Sequence, residues 1–288
     1  MIGVVGATGR VGNNLTRQLI AAGAPVRVLS RDPDRAITMF SGSSVDAGFL
    51  DYSEPATLRS ALRGVDQLFL SHGTGATQVE DEIALIDAAA AEGTDHLVKL
   101  SVANGNDDQR MIVLDWHLEV EKHLAALPLP ATLLRPVTFT DYLARAFSSV
   151  ASGTWGGAAG EGLVSLIDTR DVANVACVVL TEGAAKHAEK AYRLTGPDAV
   201  SMHDIAKRLS TLLEVTVEYQ ERTIAEQAAQ LTGDGLPPLT VDVLLAVDQT
   251  TREGWYAEPT TAVADITGAS PRPVDEWLRE HVTEFRGE

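Results

Sequence analysis

The first twelve residues constrain this chain more than any other stretch. An apolar run, Ile2 to Val5, leads into Gly6-Ala7-Thr8-Gly9-Arg10-Val11-Gly12, and from there apolar residues recur at helical spacing over residues 11–22. Three glycines at intervals of three between a strand and a helix meet separate steric demands. Gly6 permits a tight turn, Gly9 removes a side chain where a pyrophosphate would approach the backbone, and Gly12 lets the helix pack closely against the sheet. Amides at the helix start then face the anion, helped by the helix dipole. The spacing is GxxGxxG and not the GxGxxG of the standard fingerprint, so it is the strand-turn-helix setting that gives it weight. Gly6, Thr8, Gly9, Arg10, Val11 and Gly12 are therefore candidate dinucleotide contacts.

Short apolar runs at residues 26–29, 67–70, 96–100 and 132–134 alternate with helical patterns at 55–62, 79–91 and 111–126. Strands alternating with helices predict an α/β fold, a Rossmann-type doubly wound parallel sheet. Residues 1–152 make the dinucleotide-binding domain, to which later segments can return. Beyond Pro136 the regularity fades into a glycine-rich stretch around Gly153 to Gly162. A strand-like 163–167 and a helix from about Asp171 follow, with further helices near 202–213, 224–231, 241–247 and 274–285. This predicts a smaller, mainly C-terminal α+β lobe over 153–288, for binding substrate.

The second strand ends in Ser30-Arg31, where an NAD-binding chain usually carries an acid for the ribose hydroxyl. Arg31 can instead form a charge-assisted fork onto a 2′-phosphate, an interaction of about 1.5–3 kcal/mol. The cofactor expected is NADP(H), the alternative being an Arg31 paired with Asp32 or Asp34. Asp51, closing the third strand region, is either an adenine contact or a helix cap.

The formal net charge of −17 argues against nucleic acid and anionic membrane as partners, and no basic patch offsets it. With 45 % hydrophobic and 22 % charged residues the composition is that of a globular protein. Cys177 is the only cysteine, which excludes an internal disulfide and a multi-cysteine metal site. No metal is expected: there is no HExxH, and His117 and His123, six apart, do not share a helical face. No basic leader or long apolar run stands at the start, so a cytoplasmic protein is expected.

Gly6-Ala-Thr-Gly-Arg-Val-Gly12, Ser30-Arg-Asp-Pro33, His117-Leu-Glu-Val-Glu-Lys122, Thr132-Leu-Leu-Arg-Pro136 and Gly157-Ala-Ala-Gly-Glu-Gly162 together resemble the NmrA-like branch of the atypical short-chain dehydrogenases, and within it the NADPH-dependent quinone oxidoreductases. Tyr192-Arg-Leu-Thr-Gly196 carries the likeness into the C-terminal half. The resemblance implies a substrate cleft between the lobes, over the nicotinamide. Ser71, His72 and Gly73 after the fourth strand and Ser101 at the end of the fifth should flank the cofactor, because ligands lie beyond the carboxyl ends of such strands.

One departure from ordinary short-chain dehydrogenases has chemical weight. Their acid is a Tyr with a Lys four residues later; four residues after Tyr52, Tyr142, Tyr192, Tyr219 and Tyr256 stand Ala56, Ala146, Gly196, Thr223 and Thr260. The usual Lys position falls on His117. That residue is either a core histidine or a contact to the nicotinamide ribose, oriented by Glu121 one turn later. His72 is either a substrate contact or a plain loop residue. His117, His72 and Ser101 are thus the candidate catalytic groups. Arg135, in an apolar strand, calls for a carboxylate such as Glu121, and Asp171 reads as a helix cap. Phe139, Tyr142 and Trp155, with Phe147, Trp255 and Tyr256, are candidate walls for a flat aromatic or quinone substrate, or ordinary core. An NADPH-dependent quinone reductase explains the missing Tyr, since hydride addition gives a stabilised phenolate. A non-catalytic NADP(H) sensor explains it equally well. A homodimer is a candidate assembly.

Overall fold

The computed structural model describes residues 1–41, 45–104 and 111–288. Its frame is a seven-stranded, all-parallel sheet. Strands β1 (Ile2–Val5), β2 (Val26–Ser30), β3 (Asp46–Phe49), β4 (Gln67–Leu70), β5 (His96–Leu100), β6 (Ala131–Pro136) and a last strand, Lys190–Leu194, lie in the order β3-β2-β1-β4-β5-β6-Lys190–Leu194. Alternate residues of each strand face opposite sides. Val4, Val28, Phe69, Val98 and Leu134 enter one core; Val5, Leu29, Leu68, Leu70 and Leu97 enter the other. A parallel sheet buried on both faces needs this, which is why its strands read as continuous apolar runs.

Helix α1 (Arg10–Ala21) covers the first face with Val11, Leu15 and Leu19, beside the Thr169–Glu182 helix with Val172, Val175 and Val179. After the short α2 (Pro33–Met39), helices α3 (Pro55–Leu62), α4 (Gln78–Glu92) and α5 (Ile112–Ala125) cover the second through Leu58, Leu62, Leu85, Ile86, Val120 and Leu124. From β1 the chain steps outward to β3, then crosses back to β4 and runs the other way. The crevice at the carboxyl ends of β1 and β4 is the switch point where such sheets bind ligands.

Several expectations need correction. Residues 163–167 are not a strand: only isolated bridges, Phe139 to Ile167 and Val164 to Val200, form there. Asp171 does not cap a helix. Asp168 is the cap, accepting from the Arg170 amide at 2.7 Å, and the buried Asp171 accepts from the Arg272 amide at 2.6 Å and pairs with its guanidinium. Asp51 is no cap either. Its carboxylate accepts from the Ser53 amide at 2.9 Å and hydroxyl at 2.7 Å, and α3 starts after Glu54. The helix expected at 274–285 breaks at His281 into Val274–Glu280 and Val282–Arg286. Residues 153–288 also hold helices Ala184–His187, Met202–Leu213, Ile224–Gly233, Pro238–Arg252 and Ala262–Thr267 and a two-stranded ribbon, Gly156–Gly157 with Gln220–Glu221. Among the described residues no helix is long and apolar enough to cross a membrane.

Candidate active site

The glycine loop is fixed by backbone crowding. Gly6 has φ +78°, and a Cβ on it would lie 2.6 Å from the Ser71 carbonyl oxygen at the end of β4. At Gly12 a Cβ would lie 2.2 Å from the Gly6 carbonyl oxygen. Gly12 therefore serves the approach of α1 to the loop itself. Gly9 closes the turn by donating its amide to Gly6 at 2.9 Å, and a Cβ there would meet only that carbonyl, at 3.2 Å. Gly9 is also the N-cap of α1 and has no side chain to accept from the first amides; no acid stands in the first turn. Those donors are left for an anion. Thr8, Gly9 and Arg10 are exposed around the loop, while the Val11 side chain is buried in the core, so Val11 can offer a ligand only its backbone.

At the end of β2, Arg31 is exposed and makes no ion pair among the described residues. Asp32 is occupied in capping α2, accepting from the Arg35 amide at 3.0 Å. The Ser53 hydroxyl and amide hold the Asp51 carboxyl below the usual carboxylate range, with the Arg31 charge adding to the effect.

Next to this loop lies a cavity of about 570 Å³, lined on its apolar side by Leu100, Met111, Val113, Val137, Phe139 and Val247 among others, and on its polar side by His72, Ser101, His117 and Arg145. Tyr142 and Tyr256 complete the wall. Both phenols point their protons elsewhere: Tyr142 donates to Asp248 at 2.9 Å and Tyr256 to the Ala103 carbonyl at 2.8 Å. Burial raises the pKa of each, and Tyr256 is pushed up to about 12. Asp141 is paired with Arg10 at 3.2 Å. Trp155 does not reach this cavity. It is buried edge-on against Tyr219, 5.1 Å between ring centres, and borders a neighbouring recess that shares Tyr142 and Arg145. Phe147 packs against Trp277 and Phe285 instead.

His72 follows β4 as its position requires. Its Nδ1 lies 2.6 Å from the Gly73 carbonyl and its Nε2 3.1 Å from Asp81, with the ring edge-on to Tyr52. The Ser101 hydroxyl donates to Glu121 at 2.5 Å, and Glu121 is also gripped by Arg135, whose Nε lies at 3.1 Å. Arg135 thus has the carboxylate it calls for. Glu121 is not the partner of His117. The His117 Nδ1 lies 3.2 Å from Lys99 Nζ, and its Nε2 lies 3.3 Å from the Gln78 amide nitrogen. Burial and then the Lys99 charge push its pKa down to about 3. The imidazole is held neutral at physiological pH. Lys99, Glu82 and Gln78 were absent from the sequence-derived candidates, yet Lys99 interrupts the apolar strand His96-Leu-Val-Lys-Leu100 and Glu82 falls on the apolar face of α4 with Leu85, Ile86 and Ala89.

A model of the NmrA-like family matches residues 1–278. The chain belongs to the NmrA-like family. It is 33 % identical over 290 residues to a (4-alkanoyl-5-oxo-2,5-dihydrofuran-3-yl)methyl phosphate reductase of Streptomyces griseus, covering all of both chains. An NAD(P)H azoreductase of Xenophilus azovorans is 30 % identical over 99 % of each chain. In three dimensions this NmrA-like chain superposes on an NADPH-dependent quinone oxidoreductase of Escherichia coli, solved with NADPH, with a TM-score of 0.90 at 27 % identity, over 97 % of this chain and 99 % of the other.

Proposed function

We propose that this NmrA-like protein is an NADP(H)-dependent oxidoreductase that reduces a quinone or a related conjugated aromatic carbonyl. The residues suit the cofactor. Gly6 and Gly12 stand where a Cβ would strike backbone, Gly9 leaves an open face before the uncapped start of α1, and Arg31 carries a charge with no ion pair among the described residues. Backbone amides of residues 9–12 would hold the pyrophosphate and Arg31 the 2′-phosphate, with Ser71, His72, Gly73, Ser101 and His117 around the nicotinamide end. Bound NADPH supplies a hydride equivalent.

The single observation that carries the substrate class is that each phenol on the cavity wall is already donating inward, Tyr142 to Asp248 and Tyr256 to Ala103. With His117 neutral, Asp141 paired and both His72 nitrogens engaged by the Gly73 carbonyl and Asp81, the described residues of the wall offer no free acid to a newly formed alkoxide. A simple ketone needs such an acid. A quinone does not, because its reduced form is a resonance-stabilised phenolate that takes its proton from water. Phe139, Tyr142 and Tyr256 bound a space suited to a flat acceptor. The relatives named above, which act on an oxo-dihydrofuran phosphate, as an azoreductase and on quinones, share reductase names and no single substrate.

The test is NADPH and NADH consumption against a panel of quinones and unconjugated ketones, after cofactor binding has been titrated. Quinone-dependent turnover with NADPH preferred, and none with the ketones, is the expected result. Tight NADPH binding with no turnover on any acceptor would instead make the protein a cofactor-binding regulator.

A further inference from the structure

The most demanding polar arrangement among the described residues lies directly behind the cavity wall. Lys99, on β5, and Glu82, on α4, are both fully buried and ion-paired. Burying two charges is rarely the cheapest way to fill a core, and an apolar pair of similar size is often as stable or more so. The pair also reaches outward. An ammonium has three N–H donors, and those of Lys99 have three acceptors: the Glu82 carboxylate, the Leu100 carbonyl at 3.3 Å, and His117 Nδ1 at 3.2 Å. Since Nδ1 accepts, the single proton of the neutral ring belongs on Nε2. Gln78 closes the shell. Its amide nitrogen is 3.3 Å from both Glu82 and His117 Nε2, and its oxygen is buried with no partner among the described residues; turned over, the amide accepts from the Nε2 proton through that oxygen.

We propose that Lys99, held by Glu82, is a positioning residue that fixes His117 in one neutral tautomer on the cavity wall, where the ring meets bound ligand as a neutral surface and not as a source of protons. Its catalytic consequence rests on the reductase reading above; its protonation consequence does not. Among the described residues, the groups that act on His117 are Lys99 from β5, His72 from the loop after β4 and Gln78 from α4; Glu82, also on α4, is paired with Lys99, and Glu121, on the helix of His117 itself, is held by Arg135 and Ser101. Lys99→Met removes the cation that His117 Nδ1 faces but leaves the Glu82 carboxylate behind it, so His117 is expected to take up a proton. Lys99→Met with Glu82→Gln removes both charges, and His117 returns to neutral.

The experiment is a pH titration of the His117 ring signals by NMR, in the native protein, Lys99→Met and the double variant, with kcat and KM for NADPH and a quinone followed over the same pH range. The native ring should not titrate above about pH 5, Lys99→Met should titrate at or above the ordinary histidine value of about 6.5, and the double variant below it. In turnover, Lys99→Met should lose about tenfold to a hundredfold in kcat, by analogy with the loss of the outer partner of a metal-ligating histidine. The loss should carry a pH limb that the native enzyme and the double variant lack. A native His117 that titrates between pH 5 and 8 overturns the proposal without any variant. So does a folded Lys99→Met whose His117 stays neutral. If no acceptor is reduced but the ring titrates as described, the reductase reading fails and the positioning of His117 stands.

Discussion

Replacing Arg31 isolates one charge. The side chain is exposed at the end of β2 and has no ion pair among the described residues, so its loss should leave stability within about 0.5 kcal/mol of the native value. Its effect falls on the cofactor. A charge-assisted bond to the 2′-phosphate contributes about 1.5–3 kcal/mol, and solvent exposure puts Arg31 at the lower end. Arg31→Ala should therefore weaken NADPH about tenfold at physiological salt and more at low salt, where screening is weaker. NADH has no 2′-phosphate and should bind as before. Arg31→Glu sets like charges against each other while giving the ribose hydroxyl an acceptor, so NADPH should weaken by about a hundredfold while NADH binding is spared or improved. The nearby Asp51 carboxyl loses one of the influences that hold it ionised, with no effect at neutral pH because the Ser53 bonds are its larger support. Calorimetric titration with both cofactors at two ionic strengths reads this directly. Equal losses for NADPH and NADH, or a large fall in melting temperature, would refute the reasoning.

The glycines should separate folding from binding. Gly12→Ala, with a Cβ 2.2 Å from backbone, should cost about 1–3 kcal/mol in denaturant unfolding and abolish NADPH binding. Gly9→Ala, which meets one carbonyl at 3.2 Å, should keep near-native unfolding yet lose NADPH affinity; normal affinity would remove Gly9 from the site. Tyr142→Phe leaves the buried Asp248 short of one donor and should lower stability by about 1–2 kcal/mol while turnover per folded molecule holds. A large turnover loss at unchanged stability would make Tyr142 the acid. Burial, then His187, pushes the His96 pKa down to about 4, so the unfolded chain takes up this proton first as pH falls. Stability should be full above about pH 6.5 and decline toward pH 4, with His117 adding to the slope. A melting temperature flat from pH 7 to 4.5 would contradict both burial assignments.

Much of the sheet was legible because parallel strands buried on both faces have to be apolar runs. Residues 2–5, 67–70 and 96–100 end where the patterns place them. β3 escapes that rule. Its Asp-Ala-Gly-Phe sequence sits at the sheet edge, held by register against Arg27 to Ser30 and by an ion pair from Arg27 to Asp46 at 2.7 Å, neither of which leaves a hydrophobic signature. The Lys190–Leu194 strand at the other edge is equally polar on one side and joins β6 after a long excursion. Edge strands depend on a partner more than on their own residues. Helix ends were read to within a residue or two where caps are strong: Ser201 with Asp204 closes a capping box ahead of Met202–Leu213, and Thr223 with Glu226 does the same ahead of Ile224–Gly233.

The site was legible where geometry is local and obscure where partners compete. Gly6, Gly9 and Gly12 act through their own backbone, so a linear reading suffices. His117 and Glu121 share a helical face, and spacing alone pairs them. The fold assigns Glu121 to Arg135, because a guanidinium fork on a carboxylate outcompetes a neutral imidazole. That leaves His117 to Lys99, a cation that the strand pattern marks as out of place. A buried charge implies its counter-charge on a facing element. Lys99 in an apolar strand and Glu82 on the apolar stripe of the adjacent helix each announce the other. The same reasoning that found a partner for Arg135 therefore extends to Lys99 from sequence alone. Applied to both cations, it leaves His117 with no carboxylate of its own among the described residues, so burial and the Lys99 charge keep the ring neutral beside the cavity.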